Sequence, residues 1–545
     1  LFRSIMALPL PPGVDDAQFR AAMQKMAEAI GSQWVYTEED DVMLYRDAYS
    51  PAWDEPEELL PSAAVAPAST EEVQKIVRIA NEYRVPLYPV STGKNLGYGG
   101  SAPNMTGTVV LDLKRMNRVI AVDDKRHFAI VEPGVSYFDL YRHIRENKLK
   151  VWIDCPDPGW GGVLGNALDR GIGYTLGIYR DHWQAHCGLE VVLPNGELMR
   201  TGMGALPGAK TFAEYRYGFG PYVDGLFSQG NFGIVTQMGI RLMPEPERFI
   251  GGQIRVPRRR DLIPLVDIVN ELENSFQVGA PFFGSPLYAL SFLDPEVRKI
   301  GFDYSLTDDQ LDAVAAKRGL PFWKVDLPIY GPAPVAEAVW THIQDRVRQL
   351  IPEASFEKTM DYRFPLTDEQ ARAMPHKVQI GVPGLEIFSV GARSDYNPHP
   401  TDGHMWFASV LPRSGEAVFE AQKVFAEASR ELGVDPIFPN YFPPMGFLSN
   451  AFMYINFLPI SKSDPDRNKA TRETFRYYVT AAGKAGYGEY RAPPLFHDLV
   501  SDIYSFNDHA LRRFTQTMKD AVDPNGIIAP GRGGIWPARY RGAKP

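Results

Sequence analysis

Two glycine-rich tracts lie within about 80 residues of each other: PVSTGKNLGYGGSAP (89–103) and DPGWGGVLGNALDRGIGYTLG (157–177). At Gly93, Gly97, Gly99 and Gly100 the missing Cβ lets backbone N–H groups approach an anion closely. The first tract is not a Walker loop, because no Ser or Thr follows Lys94, and no G-x-G-x-x-G opens a helix here. Either tract alone reads equally well as a surface loop. Two of them, each after a strand-like run, point to backbone packed along an extended dinucleotide. A metal reading competes: His182 and His186 are spaced i, i+4 in DHWQAH, with Cys187 adjacent. No H-E-x-x-H pattern and no third ligand accompany them, so no metal is expected.

The elements around the first tract read as β-α-β. AAVAP (63–67) is a short apolar strand, and Ser69-x-x-Glu72 has capping-box spacing. Val73, Ile76, Val77 and Ala80 then fall on one helical face. PLYPV (86–90) is the second strand, expected to run parallel to the first. The glycine loop therefore leaves a strand's carboxyl end, where open α/β sheets bind ligands. TVVLDL, RVIAV and HFAIVEPG follow as strands, SYFDLYRHIRENKL as a helix capped by Ser136, and Asn195-Gly196 as a hairpin turn. GIVTQMGIRLMPEPE (233–247) is a strand ending at a boundary. Residues 1–247 form one α+β unit on this reading, completed by 489–545. In 248–488, strands such as HMWFASVLP and MYINFLPI alternate with helices such as EAVFEAQKVFAEASREL, the pattern of an antiparallel sheet covered by helices. The tail DPNGIIAPGRGGIW (523–536) returns to glycine turns, as if near a ligand again.

At 545 residues the chain exceeds one ordinary core, and 44% hydrophobic with 23% charged residues is a globular composition. A net charge of -9 without basic runs argues against nucleic acid or an anionic membrane as partner. Two cysteines, Cys155 and Cys187, suit a reducing compartment, and no apolar run reaches the length of a membrane span. The cytoplasm is the expected location.

Longer motifs make the reading specific. They are PVSTGKNLGYGGSAP, VEPGV (131–135), WIDCPDPGWGGVLGN (152–166), DRGIGYT (169–175), DHW (181–183) and EVVLPNGELMRTGMGALPG (190–208). QGNFGIVTQMG (229–239), GHMWF (403–407), GEYR (488–491) and DPNGIIAPGRGGIWP (523–537) complete the set. On these the chain resembles the vanillyl-alcohol oxidase / p-cresol methylhydroxylase family of flavoproteins, nearest to its oxidases of vanillyl alcohol and eugenol. The resemblance implies an α+β, two-domain flavoprotein: an FAD-binding domain plus an antiparallel-sheet cap. FAD would lie against Ser91, Thr92, Gly93, Lys94, Asn95, Leu96 and Gly97, the loop that cradles its pyrophosphate. Pro156, Gly162, Leu164, Gly165, Asn166, Gly171, Tyr174, Asp181 and His182 would continue that site, with Gly233, Ile234 and Val235. His404 falls where the oxidases bond a histidine to the flavin 8α-methyl; the methylhydroxylases use a tyrosine. His399, between Pro398 and Pro400, reads as a loop residue instead. Strand alternation puts Trp406 and Ala408 on the face of His404, so Trp406 should narrow the substrate cavity.

The family uses Tyr98, Tyr490 and Arg491 to bind a phenol as phenolate. A free phenol has a pKa near 10, and lowering it by two or three units needs about 3–4 kcal/mol of anion stabilisation, within reach of a fixed guanidinium and two hydroxyls. Asp157 matches the aspartate beside flavin N5 and the benzylic carbon, with Asp154 as its nearest rival; Arg532 stands where relatives carry a lysine near the flavin pyrimidine. One departure is the segment TLGIYRDHW, two residues longer between Tyr174 and Asp181 than the oxidases imply. The implied activity is oxidation of para-substituted phenols by hydride transfer through a p-quinone methide, with O2 as oxidant, in a homodimer or assembly of dimers. The alternative within the family is a dehydrogenase that passes electrons to a cytochrome.

Overall fold

The structure, a computed structural model, describes residues 8–290, 294–297, 306–375, 377–386, 402–434, 441–442 and 450–542. His399 lies outside the described residues. The first sheet contains β1 (Val35–Tyr36), β2 (Ala63–Val65), β3 (Leu87–Val90) and β4 (Val109–Asp112), in the order β1-β2-β4-β3. Ala63, Ala64 and Val65 are all fully buried, as expected of a strand covered on both faces. β2 and β3 run parallel but do not pair with each other. β4 enters between them, with Val109 opposite both Ala63 and Leu87. The crossover is the helix α2 (Thr70–Tyr83), which buries Val73, Ile76, Val77 and Ala80 and packs against α1 (Asp16–Ile30). Its cap differs from the sequence expectation in one atom. Ser69 Oγ accepts from the Glu72 N–H at 3.3 Å, but Glu72 reaches back to the Ala68 N–H at 2.7 Å. The C-terminal tail returns to this sheet: Leu87 N–H donates to Ile527 O at 2.7 Å and Ala529 N–H to Leu87 O at 2.8 Å. That pairing carries Arg532 to the end of β3.

The second sheet, β5 (Val119–Asp123), β6 (Phe128–Val131), β7 (His186–Val192), β8 (Leu198–Arg200) and β9 (Ile234–Arg241), is antiparallel in the order β5-β6-β9-β7-β8. Gly196, at φ +82°, makes the β7–β8 turn at Asn195-Gly196. The helix α3 (Tyr137–Glu146) begins with a capping box of Ser136 and Asp139. Short helices α4 (Val163–Leu168), α5 (Gly177–Arg180) and α6 (His182–Ala185) carry the second glycine tract onward.

Two antiparallel sheets use residues from 248 onward. One is ordered β13-β10-β12-β11-β15, from β10 (Arg248–Val256), β11 (Phe282–Gly284), β12 (Trp323–Gly331), β13 (Ser355–Arg363) and β15 (Tyr441–Phe442). The other places β14 (Gly403–Pro412) between β16 (Ala451–Ile460) and β17 (Gly488–Glu489). The helices α7 (Leu262–Asn274), α8 (Ala333–Leu350), α9 (Gly415–Leu432) and α10 (Pro465–Lys484) bury their apolar stripes in one core with these strands, including Trp323, Phe407, Phe425 and Tyr478. α11 (Phe506–Val522) closes the chain before the tail. No helix among the described residues is long and apolar enough to cross a membrane.

Candidate active site

The two glycine tracts face each other across a cavity. Ser91, Thr92, Gly93, Lys94 and Asn95 line it from the first, and Gly162, Leu164, Gly165 and Asn166 from the second. Gly233, Ile234, Val235 and Arg532 complete the wall. A side chain on the second tract would close this cradle. A Cβ on Gly162 would stand 2.7 Å from Ser91 Oγ, and one on Gly165 2.1 Å from it. Gly97 sits just outside, at φ +81°, where a Cβ would lie 2.4 Å from Trp406 Cδ1. The shape and its backbone-rich lining fit an extended dinucleotide.

A second cavity of about 150 Å³ adjoins the first and shares Lys94, Asn95, Gly161, Asn166 and Arg491 with it. Leu96, Tyr98, Pro156, Asp157, Tyr174, Trp406 and Tyr490 are among its other walls. Arg491 Nη2 donates to Tyr490 Oη at 2.9 Å, and its guanidinium carbon lies 4.8 Å from the Tyr98 ring centre and 4.7 Å from that of Tyr490. Burial pushes both tyrosine hydroxyls up from their ordinary pKa, so they stay protonated donors. Burial works against the Arg491 charge, but Tyr490, Asp169 and Tyr98 outweigh it and its pKa is raised. The Tyr98 hydroxyl and a permanent cation therefore meet at one wall, an arrangement that stabilises an oxyanion, with Tyr490 beside them donating its own proton to Arg170 O.

The two aspartates of WIDCPDPGW separate clearly. Asp154 is buried and fully engaged: Oδ2 accepts from Thr175 N–H at 2.8 Å and from Thr175 Oγ1, and Oδ1 lies 2.8 Å from His182 Nε2. Asp157 faces the second cavity, its Oδ1 is buried without a hydrogen-bond partner, and burial, with Glu386 nearby, pushes its pKa up to about 6. On β14, His404 is buried among Tyr49, Trp406 and Phe457, at ring distances of 5.2, 4.8 and 4.8 Å. Its Nδ1 makes no hydrogen bond, and burial lowers its pKa to about 3, so the imidazole is neutral. Trp406 stacks on Tyr98 at 6.4 Å.

Residues 61–202 match the FAD binding domain family. The flavoprotein subunit of 4-cresol dehydrogenase (hydroxylating) from Pseudomonas putida is 33% identical over 536 residues, covering 96% of this chain and 97% of that one. The chain belongs to the vanillyl-alcohol oxidase / p-cresol methylhydroxylase family. Two solved structures of this family superpose along almost the whole length. The 4-ethylphenol oxidase from Gulosibacter chungangensis has a TM-score of 0.83 at 36% identity, covering 98% of this chain and 100% of that one. p-Cresol methylhydroxylase has a TM-score of 0.80 at 31% identity, covering 97% and 99%. FAD is the cofactor this family membership supports, and the cradle described above fits it.

Against that family frame, the residues expected at the flavin fall in two layers. Those named above line the cavities, except Gly97, just outside the first, and His404, which lines neither and is buried behind Trp406. Gly171, Asp181 and His182 stand one layer behind: Asp181 caps α6, Gly171 O accepts the His182 N–H at 3.1 Å, and the fully buried His182 bonds Asn166 through Nδ1. Asp154 and Tyr137 join this support, Tyr137 Oη lying 3.2 Å from His182 Nδ1. His182 and His186 thus take separate partners, the latter Asp224 and Tyr222. No group of three or more His, Cys, Asp or Glu suited to a metal occurs among the described residues.

Asp169 is the residue that sequence reasoning passed over. Its Oδ2 lies 3.3 Å from Arg491 Nη1 and accepts from Asn95 Nδ2 at 2.8 Å, while Oδ1 pairs with Arg532 Nη2. Burial would raise its pKa, but the two guanidiniums win and hold it below the usual carboxylate range. One carboxylate between two guanidiniums leaves this cluster net positive. The available signal is an acid inside the second glycine tract, in DRG, in a chain with two arginines each expected to face an anion. The segment Tyr174–Asp181 contains α5, whose Arg180 pairs with Glu273 of α7 at 2.8 Å; Glu273 also pairs with Arg413 at 2.5 Å.

Proposed function

We propose that the chain oxidises para-substituted phenols at the benzylic carbon, with FAD as cofactor and O2 as the oxidant, which leaves as hydrogen peroxide. The observation that supports this most is the convergence of Tyr98, Tyr490 and Arg491 on a cavity that Asp157 also lines and that opens onto the glycine cradle. The named relatives act on 4-cresol and 4-ethylphenol, the substrate class such a cavity suits. For this reading we divide the chain into an FAD-binding unit, 1–247 completed by 489–545, and a cap, 248–488.

Bound FAD supplies the two-electron acceptor for the hydride that leaves the benzylic carbon. The chain's own residues do the rest. Arg491, Tyr98 and Tyr490 hold the phenol oxygen as an anion and so favour the phenolate. Charge from that oxygen moves into the ring as the hydride departs, leaving a p-quinone methide. Asp157 takes the proton of a water that adds to the methide carbon, giving a 4-hydroxybenzylic alcohol. Trp406 limits the para chain to short groups. The neutral His404 keeps a lone pair free, and we assign to it the covalent bond to the flavin 8α position.

Anaerobic mixing with 4-ethylphenol tests the reading. Bleaching of the oxidised-flavin absorbance is expected, and no bleaching overturns it. Acid precipitation tests the link: the pellet stays yellow in the wild type and turns white in His404→Ala. A protein acceptor in place of O2 has the Pseudomonas relative in its favour, named a dehydrogenase flavoprotein subunit. Slow reoxidation of the reduced enzyme by air would select it.

A further inference from the structure

A third cavity, of about 470 Å³, adjoins the Tyr490–Arg491 segment that also lines the phenol cavity. It meets the cofactor cavity at five shared residues: Asp169, Gln229, Gly230, Arg491 and Arg532. It touches the phenol cavity only through Tyr490 and Arg491. Tyr490 Oη donates to Arg170 O and forms part of the wall between the two. Phe232, Val500, Tyr504, Leu511 and Ile535 give the lining apolar walls, Arg170 and Arg512 add guanidiniums, and Asp169 and Glu489 add acids. Arg170 Nε is tied to Ser228 Oγ at 2.9 Å and Arg512 Nε to Ser501 Oγ at 3.0 Å, so both guanidiniums are held at the wall; Arg512 also pairs with Asp502 at 2.6 Å. Leu511, on this lining, is an exposed apolar side chain.

The proposed reaction has two halves that need different small molecules at one cofactor. A phenol and its product fill the phenol cavity, about 150 Å³, during the first half. The oxidant of the second half has no need of that route if another opening reaches the same cofactor edge. We propose that the third cavity is the port of the electron acceptor, and that it admits acceptors larger than dioxygen, of the class of single-ring quinones. The inference rests on the reading given under Proposed function. The apolar walls suit a planar ring, and the Arg170 guanidinium suits the anionic character that a quinone oxygen gains on reduction. The step balances: the quinone gains two electrons and one proton from the reduced cofactor and a second proton from water, and leaves as hydroquinone.

Two substitutions block the port without touching the phenol site. Gly225 lines it, and a Cβ there meets nothing within 4 Å, so Gly225→Phe projects a ring into open space. Thr515, on α11, also lines the cavity, so Thr515→Trp adds bulk to its wall. The probe is 1,4-benzoquinone, and both cysteines are buried from it. The oxidised holoenzyme is first saturated with 4-tert-butylphenol, which has no benzylic hydrogen to lose. A saturable change in the flavin spectrum on adding benzoquinone is expected, with Kd raised at least tenfold in both variants. Reoxidation of the reduced enzyme by benzoquinone should slow by a similar factor, while anaerobic reduction by 4-ethylphenol stays within twofold of wild type. Competition between benzoquinone and 4-tert-butylphenol, unchanged binding in the variants, or equal slowing of both half-reactions overturns the proposal. If 4-ethylphenol fails to reduce the enzyme, the phenol-oxidase reading falls, and the benzoquinone titration still decides whether the cavity binds a quinone.

Discussion

Asp157 and Asp154 are three residues apart and have opposite fates because of what surrounds their oxygens. Asp154 meets Thr175 and His182, whereas Asp157 keeps an oxygen without a partner at the phenol cavity. A carboxyl held up at about 6 is a base poised near neutral pH. Its working form is the carboxylate, so a rate limited by it rises with pH through about 6 and levels above. Asp157→Asn should abolish that limb, and Asp157→Ala should slow substrate oxidation by about 10²–10⁴-fold, the usual weight of a general base, with phenol binding retained. Stopped-flow reduction and product formation across pH 5–8 check both. The same carboxyl carries a stability sign: its folded pKa is raised, so its contribution is present at acid pH and is lost as pH rises through about 6. Arg491 is testable through its ligand. A bound 4-tert-butylphenol should ionise about 2–3 units below its free value near 10 and return toward that value in Arg491→Met, read from the ultraviolet phenolate band. These residues were legible in the sequence because the motifs around them are long. Asp169 was not, since its partners Asn95, Arg491 and Arg532 lie 74, 322 and 363 residues away and nothing local marks the pairing.

At the scale of elements, local rules carried far and pairing rules did not. The capped helix α2, the Asn195-Gly196 turn and the alternation along β14 follow from short-range spacing, and each stands where that spacing puts it. Insertion of β4 between β2 and β3 does not follow from it, because a strand's neighbour is chosen by a surface that forms only after folding. The same holds for the tail, whose Ile528 bridges Leu87 from 441 residues away and so fixes Arg532. The cradle itself is an element-level object. It exists because α4 approaches the loop after β3 closely enough that Gly162 and Gly165 nearly touch Ser91. Gly165→Val should therefore fill the seat rather than unfold the chain. The expected result is a protein with wild-type far-ultraviolet circular dichroism and less than a tenth of the wild-type flavin per polypeptide, measured by absorbance of the purified protein.

Across the whole molecule the site depends on two bodies of structure keeping their relation. Tyr98 and Asp157 come from loops beside the first two sheets, and Trp406, Tyr490 and Arg491 from β14 and the chain just after β17. One contact between these bodies is wholly buried. Arg180, on the α5 segment that follows the second glycine tract, pairs with Glu273 at the end of α7, and Glu273 pairs with Arg413 beyond β14, all with side chains at most 2% exposed. Arg413 feels the setting: burial lowers its pKa despite Glu273. A buried ion cluster adds little net stability over a well-packed apolar one, but removal of one member strands charge in a medium that cannot solvate it. Glu273→Ala takes away the carboxylate that two guanidiniums share. It should cost about 3–5 kcal/mol, seen as a lower urea midpoint for loss of circular dichroism. The triple change to Met at Arg180, Glu273 and Arg413 removes the charge together with the carboxylate, and should recover most of that loss. Recovery would assign the cluster to docking the α5 segment against the sheets built from residue 248 onward. A triple variant as unstable as Glu273→Ala would mean that packing at these three positions, not charge, holds the two bodies together.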